Sequence, residues 1–220
     1  MAIVCEGEKT EPSYIQALLD ELGLAVTKVK VVDEHGVPAT LVALAIDLQK
    51  PSNGGYEEVW VVFDRDGHPK VSESLNRALQ KGVRVAFSNP CVELWFCLHY
   101  ACSTAERQRD EAIGEAERLL APAGIRNVKS DNVYAAIKSL TRVAVANARR
   151  LAEHHHTAGS EAMCAAKAEE LAAKPGNEAR TDLIEWCTAN PSTGMYHLVE
   201  RLLARAAAAD NPVAPPPPIR

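Results

Sequence analysis

Asp64 and Asp66 stand one residue apart, directly after the apolar run Val59-Trp60-Val61-Val62-Phe63 and just ahead of Gly67. Val, Trp and Phe suit a pleated strand, and apolar residues at consecutive positions predict a strand covered on both faces. At a spacing of two, carboxylates on a continuing strand share one side, so a single cation can bridge them. Hard cations such as Mg2+ take oxygen ligands of this kind and keep several waters. The pair also falls past the carboxyl end of its strand, where open α/β sheets bind ligands. The plain alternative is a solvated turn, because Asp and Gly are common turn residues.

Glu6 ends a first short apolar strand, Ala2–Cys5, and opens the acidic stretch Glu6-Gly7-Glu8-Lys9-Thr10-Glu11-Pro12. In a parallel sheet the carboxyl ends of the first and third strands can lie side by side, so Glu6, Asp64 and Asp66 are expected to converge. Uncompensated, such carboxylates raise one another's pKa, and a bound cation removes the conflict. Two cations about 4 Å apart would stabilise the attacking and leaving oxygens of a phosphodiester. Glu6 could instead act as general acid or base. Against this stands an acidic rim holding no metal.

Glu93 opens the apolar stretch Cys91–Ala101, either as a metal ligand or simply complementing a helix N-terminus. His99 in the same stretch reads as a satisfied core histidine. Lys9 and Lys129 are candidates to neutralise a phosphate. Arg142, Arg149 and Arg150 share a helix and read as ordinary charged surface. Adjacent side chains on a helix splay around its axis, so His154-His155-His156 is expected as a solvated helix end rather than a metal site. Asn190-Pro191-Ser192-Thr193 is expected to start and cap a helix.

The elements that must position these groups alternate. Strands are expected at Ala2–Cys5, Leu24–Val32, from Val59, and at Val83–Phe87; helices follow Thr10 and span Ala39–Gln49 and Ser72–Lys81. Thr10 is expected to cap the first helix, with Pro12 in its first turn. Strand and helix in turn imply a mainly parallel sheet with right-handed crossovers. From Thr104 the composition shifts to Ala, Glu, Arg and Leu, and helices are expected at Ala105–Leu120, Asn132–Glu153, Ser160–Ala173, Ala179–Ala189 and Thr193–Ala208. The division is an α/β core over 1–101, a helical extension over 102–209 packed on it, and a Pro-rich disordered tail over 210–220.

With 220 residues, 47% of them hydrophobic and 24% charged, the chain suits a globular fold with a sizeable core. No apolar run reaches membrane-spanning length, so no membrane partner is expected. The net charge of −5 offers no global attraction for nucleic acid, so any such contact must be local or metal-bridged. The six cysteines lack paired C-x-x-C spacing and an export signal is not visible, which points to a reducing cytoplasm. A G-x-x-x-x-G-K loop is missing, so ATP hydrolysis by this chain is not expected.

Taken in order, the segments around Glu6–Pro12, Asp64-Arg65-Asp66, Ser88-Asn89-Pro90-Cys91-Val92-Glu93-Leu94-Trp95 and Asn190-Pro191-Ser192-Thr193 resemble the RloB family, over Ile3 to about Leu203. RloB proteins are similar to Toprim domains: a small, mainly parallel sheet flanked by helices, with a glutamate after the first strand and an Asp-x-Asp after a later one. The resemblance implies a Mg2+- or Mn2+-dependent nuclease acting on DNA or RNA in phage defence, working with an ATPase partner. It also leaves room for a non-catalytic adaptor of a defence complex, and for self-association. Carried over by position, Glu6, Asp64, Asp66 and Lys129 would be catalytic. Glu6, Glu11, Asp64, Asp66 and Glu93 would be the metal ligands. Where the family tends to have an aromatic residue and a lysine, this chain has Arg126-Asn127-Val128-Lys129.

Overall fold

Alternate residues of β1 (Ala2–Glu6) and β3 (Val59–Asp64) divide into two apolar layers, as strand geometry requires. Ile3, Cys5, Trp60 and Val62 pack on one face of the sheet, and Ala2, Val4, Val59, Val61 and Phe63 on the other. Consecutive apolar residues therefore mark strands buried on both sides. This is a computed structural model; it describes residues 1–7, 9–24, 27–32, 37–65, 70–157 and 189–210. Asp66, most of the two helices expected between 160 and 189, and the tail after Asp210 lie outside the described residues.

The sheet has the order β2-β1-β3-β4-β5, with β2 at Lys28–Val32, β4 at Arg84–Asn89 and β5 at Ser192–Thr193. The first four strands are parallel, and two-residue β5 runs antiparallel to β4. Helices α2 (Pro38–Leu48) and α3 (Val71–Gln80) cover one face. On the other face lie α1 (Thr10–Glu21), α4 (Glu93–Leu98), α5 (Arg109–Leu120), α6 (Val133–Ile137), α7 (Thr141–Thr157) and α8 (Met195–Asp210). The α/β class and the mainly parallel sheet match the expectation and are consistent with a Toprim-like fold. Leaving β1 the chain turns outward to β2, and leaving β3 it turns the opposite way to β4. The helices that follow, α1 and α3, sit on opposite faces, so a crevice opens between the carboxyl ends of β1 and β3.

Several local expectations are corrected. The expected strand Leu24–Val32 shortens to β2, Leu24 being a core residue under α1. Thr10 is the first residue of α1 rather than its cap, and Lys9 at the cap position makes no side-chain capping bond. The helix expected over Asn132–Glu153 breaks at a 3-10 turn, Lys138–Leu140, where the Thr141 hydroxyl donates to the Lys138 carbonyl and competes with the helical ladder. Ser192 and Thr193 form β5 instead of opening the last helix, although the Thr193 hydroxyl still accepts from the Met195 amide at 3.2 Å. His155 is buried, its Nε2 2.7 Å from the Pro191 carbonyl, because α7 packs against the segment leading into β5. The expected solvated triplet therefore holds only for His154 among the residues whose side chains are described.

Candidate active site

β1 and β3 are hydrogen-bonded neighbours, so Glu6 and Asp64 leave the sheet side by side at the crevice. Glu6 Oε2 accepts the Asp64 backbone N–H at 3.3 Å. Strand alternation nevertheless separates their side chains. Asp64 belongs to the series of Trp60 and Val62, facing α1 and α4, whereas Glu6 continues the series of Ala2 and Val4. Asp64 therefore meets carboxylates carried by helices rather than Glu6's own.

The first of these is Glu11, in the opening turn of α1 and 7% exposed. Gly7 provides the turn from β1 with φ +77°, and a Cβ there would sit 3.5 Å from Glu11 Oε2. Burial pushes the Glu11 carboxyl up to about 7; Glu93 and Glu6 add to the rise, while a backbone hydrogen bond and Arg109 oppose it. The second is Glu93, the first residue of α4 and 2% exposed, whose Oε2 has no hydrogen-bond partner among the described residues. Burial also raises Asp64 well above the ordinary aspartate range, reinforced by the charges of Glu11 and Glu93. Arg109 and the Val92 amide, which donates to Asp64, pull the other way. Beside them the buried Cys91 thiol is pushed up by burial and then by the charges of Glu93 and Asp64, so it stays a neutral thiol.

Thus Glu11, Asp64 and Glu93 are buried together at the crevice, with Glu6 on their margin. Among the described residues, no three His, Cys, Asp or Glu side chains close on a point tightly enough to hold a metal ion. The donor chemistry does fit a hard cation. Glu11 and Asp64 are carboxylates held above their ordinary pKa by burial and neighbouring charge, and one buried oxygen of Glu93 has no partner among the described residues.

Lys129 is exposed and lines a groove of about 600 Å3 together with Lys9. Its loop is fixed by Asp131, whose carboxylate accepts the Arg126 and Asn127 amides at 2.8 and 3.0 Å, and by Asn132 capping α6. The two lysines, distant in sequence, thus line one groove beside the α1 N-terminus. Arg142, Arg149 and Arg150 are exposed, and Arg149 pairs with Glu200. His99 is buried with Nδ1 2.9 Å from the Trp95 carbonyl, and burial lowers its pKa to about 4.

Arg109 is the site residue that sequence reasoning missed. A helix expected from Ala105 would place it mid-helix, but α5 begins at Arg109 itself. The available signal was the capping box of Gln108 and Glu111, in which the Gln108 amide donates to Glu111 at 2.8 Å. Helix α5 packs on α4, which brings Arg109 within electrostatic reach of Glu11 and Asp64.

Fold and site together define an α/β protein with a buried carboxylate cluster at the switch point of a mainly parallel sheet. More particularly, the chain belongs to the RloB-like protein family, whose model matches residues 1–202. Neither curated proteins nor solved structures gave a match. Among the described residues no helix is long and apolar enough to cross a membrane.

Proposed function

We propose that this protein is a divalent-metal-dependent nuclease that cleaves phosphodiesters of DNA or RNA in phage defence, assembled with an ATPase partner. The observation that carries the reading is the burial of Glu11, Asp64 and Glu93 together at the sheet's switch point, one Glu93 oxygen having no partner among the described residues. Desolvated like charges of this kind are costly unless something compensates them. Glu6, Glu11, Asp64 and Glu93, with Asp66 added on its sequence position, are the residues proposed to hold Mg2+ or Mn2+. A bound ion would supply Lewis-acid stabilisation of the phosphodiester and lower the pKa of a water. Glu11, with its carboxyl near 7, can hold or release a proton at neutral pH. Lys9 and Lys129, which line one groove, would hold the backbone phosphates of an incoming strand.

A non-catalytic adaptor is the second reading, and Arg109 is the observation that favours it. This guanidinium already offers Glu11 and Asp64 a positive charge, so the cluster has a resident counter-ion. The test is cleavage of plasmid and tRNA by the purified chain, alone and with a candidate ATPase, in Mg2+, Mn2+ or EDTA. Metal-dependent cleavage lost in Asp64→Asn and Glu93→Gln, both still folded, is the expected result. Tight ATPase binding with no cleavage, and no Mn2+ binding by calorimetry, would replace the nuclease by the adaptor.

A further inference from the structure

At the opposite end of the sheet, three arginines crowd one carboxylate. Glu58 immediately precedes β3, and its side chain is only 11% exposed. Arg201 grips it with Nε at 2.9 Å from Oε1 and Nη2 at 2.8 Å from Oε2, and Arg205 Nη1 reaches Oε2 at 3.3 Å. Trp60 Nε1 donates to Oε1 at 3.0 Å. Arg84, the first residue of β4, has Nε 3.5 Å from Oε1 while its guanidinium lies over the Trp60 ring, 5.7 Å from the centroid. Arg201 and Arg205, four apart on α8, share a side of that helix.

One carboxylate cannot absorb this many donors. Each guanidinium carries about five N–H groups, and here Glu58 takes two from Arg201 and one from Arg205, while Arg84 stands beside it as an ion pair at 3.5 Å. The arginine side chains are 35–44% exposed, so their remaining donors are within reach of solvent. They line a groove of about 580 Å3, opened by Gly55 and Gly82 and flanked by half-buried Tyr56. The carboxylates of its lining are Glu58 and the exposed Glu57, against three arginines, in a chain of net charge −5. A positive concavity on an acidic molecule, built of planar forks that match oxyanions in bidentate fashion, selects phosphate above a simple anion. Its volume exceeds one phosphate and lies within the range of small-ligand sites.

We propose that this groove is a second, separate anion site that binds a phosphate group, carried by a nucleotide or by the end of a nucleic-acid strand. Arg84 and Arg205 supply the free forks, Arg201 and Glu58 hold them in place, and Tyr56 offers its ring to a base. The site stands about 20 Å from the carboxylate cluster, the length of β3. It does not depend on that cluster's being a nuclease centre.

The test is calorimetric titration of the full chain at low salt with inorganic phosphate, AMP, and a tetranucleotide with and without a 5′-phosphate. Hydrogen exchange over 55–58 and 201–205 locates the binding. The expected result is saturable binding of a phosphate-bearing probe, weakened at least tenfold in Arg84→Gln/Arg205→Gln and unchanged in Asp64→Asn, with protection at those segments. AMP binding tighter than either tetranucleotide identifies a nucleotide; dependence on the 5′-phosphate identifies a strand end. Binding of no phosphate-bearing probe, equal binding by wild type and double variant, or capture of a polyglutamate peptide in preference to phosphate would overturn the proposal. Should the double variant lose its circular dichroism, Arg205→Gln alone, which gives up only the 3.3 Å contact, is expected to weaken binding about threefold, and no weakening overturns the proposal equally.

Discussion

Glu11 is the residue at which burial and neighbouring charge combine most openly, and it makes stability depend on pH. Its folded pKa of about 7 lies above the ordinary 4.5, so between these values the folded form keeps a proton that the unfolded chain has released. Its contribution is complete below about 4.5 and is lost as pH rises through about 7. Asp64, also raised, acts in the same direction. His99 acts oppositely, since its depressed value of about 4 makes stability rise with pH up to its ordinary 6.5. The informative window is therefore pH 6.5 to 8, where Glu11 alone should remove about 0.5–1 kcal/mol. Thermal melts should show this decline in wild type and a flatter profile in Glu11→Gln. If the cluster takes a cation, Mn2+ should raise the melting temperature more at pH 8 than at pH 6.5, because the ion competes with fewer protons. Equal Mn2+ shifts at the two pH values would separate the ion from this cluster.

At the scale of elements, the closing segment does a job that its residues did not announce. Asn190 binds the Arg107 backbone twice, accepting its amide at 3.2 Å and donating to its carbonyl at 2.8 Å, while Asn89 donates to the Ala189 carbonyl at 2.9 Å. Ser88 and Thr193 share a hydroxyl hydrogen bond of 2.9 Å across β4 and β5. These bonds tie the end of the chain to the strand that leads into Glu93. Asn190→Ala should cost about 1–3 kcal/mol in urea unfolding, since it strands two backbone groups. Gly194→Ala should cost a similar amount, about 1–3 kcal/mol. Its Cβ would lie 3.1 Å from Ala86 Cα and Phe87 N, backbone atoms of a central strand that cannot move aside. Strands β1 and β3 were legible because double burial writes unbroken apolar runs, and their adjacency followed from parallel pairing. β5 was not, because Ser and Thr before a helix read equally as a cap, and only β4 with its waiting partners decides otherwise. The site was half legible: spacing identified carboxylates at strand ends, but which of them meet depends on face parity and on α1, α4 and α5. The family resemblance already placed Glu11 and Glu93 in one set with Asp64; setting Glu6 at their margin and adding Arg109 required the packed helices.

For the whole molecule, the net charge of −5 means that a nucleic acid approaching at random is repelled, so local cations must set the association. Lys9 and Lys129 converge on one groove of about 600 Å3 next to α1, the helix that carries Glu11. Asp20 and Asp131 also line it, which tempers its attraction. If this groove guides the strand, Lys9→Gln/Lys129→Gln should weaken binding of an inactive Asp64→Asn background to single-stranded oligonucleotide. The weakening should be uniform across sequences, because a lysine on a phosphate carries no base information. Removing both lysine charges should reduce the slope of log affinity against log salt by about 1.4, since fewer counterions leave the strand on binding. Mn2+ affinity, measured without nucleic acid, should stay within about twofold, since the charges that act on Glu11 and Asp64 come from the other carboxylates and Arg109 rather than from either lysine, and exposed charges are screened by salt. Filter binding across a salt series at moderate ionic strength measures the slope. An unchanged slope with intact cleavage would move strand guidance away from α1, leaving the arginine groove at the far end of β3 as the cationic surface to examine by the same salt series.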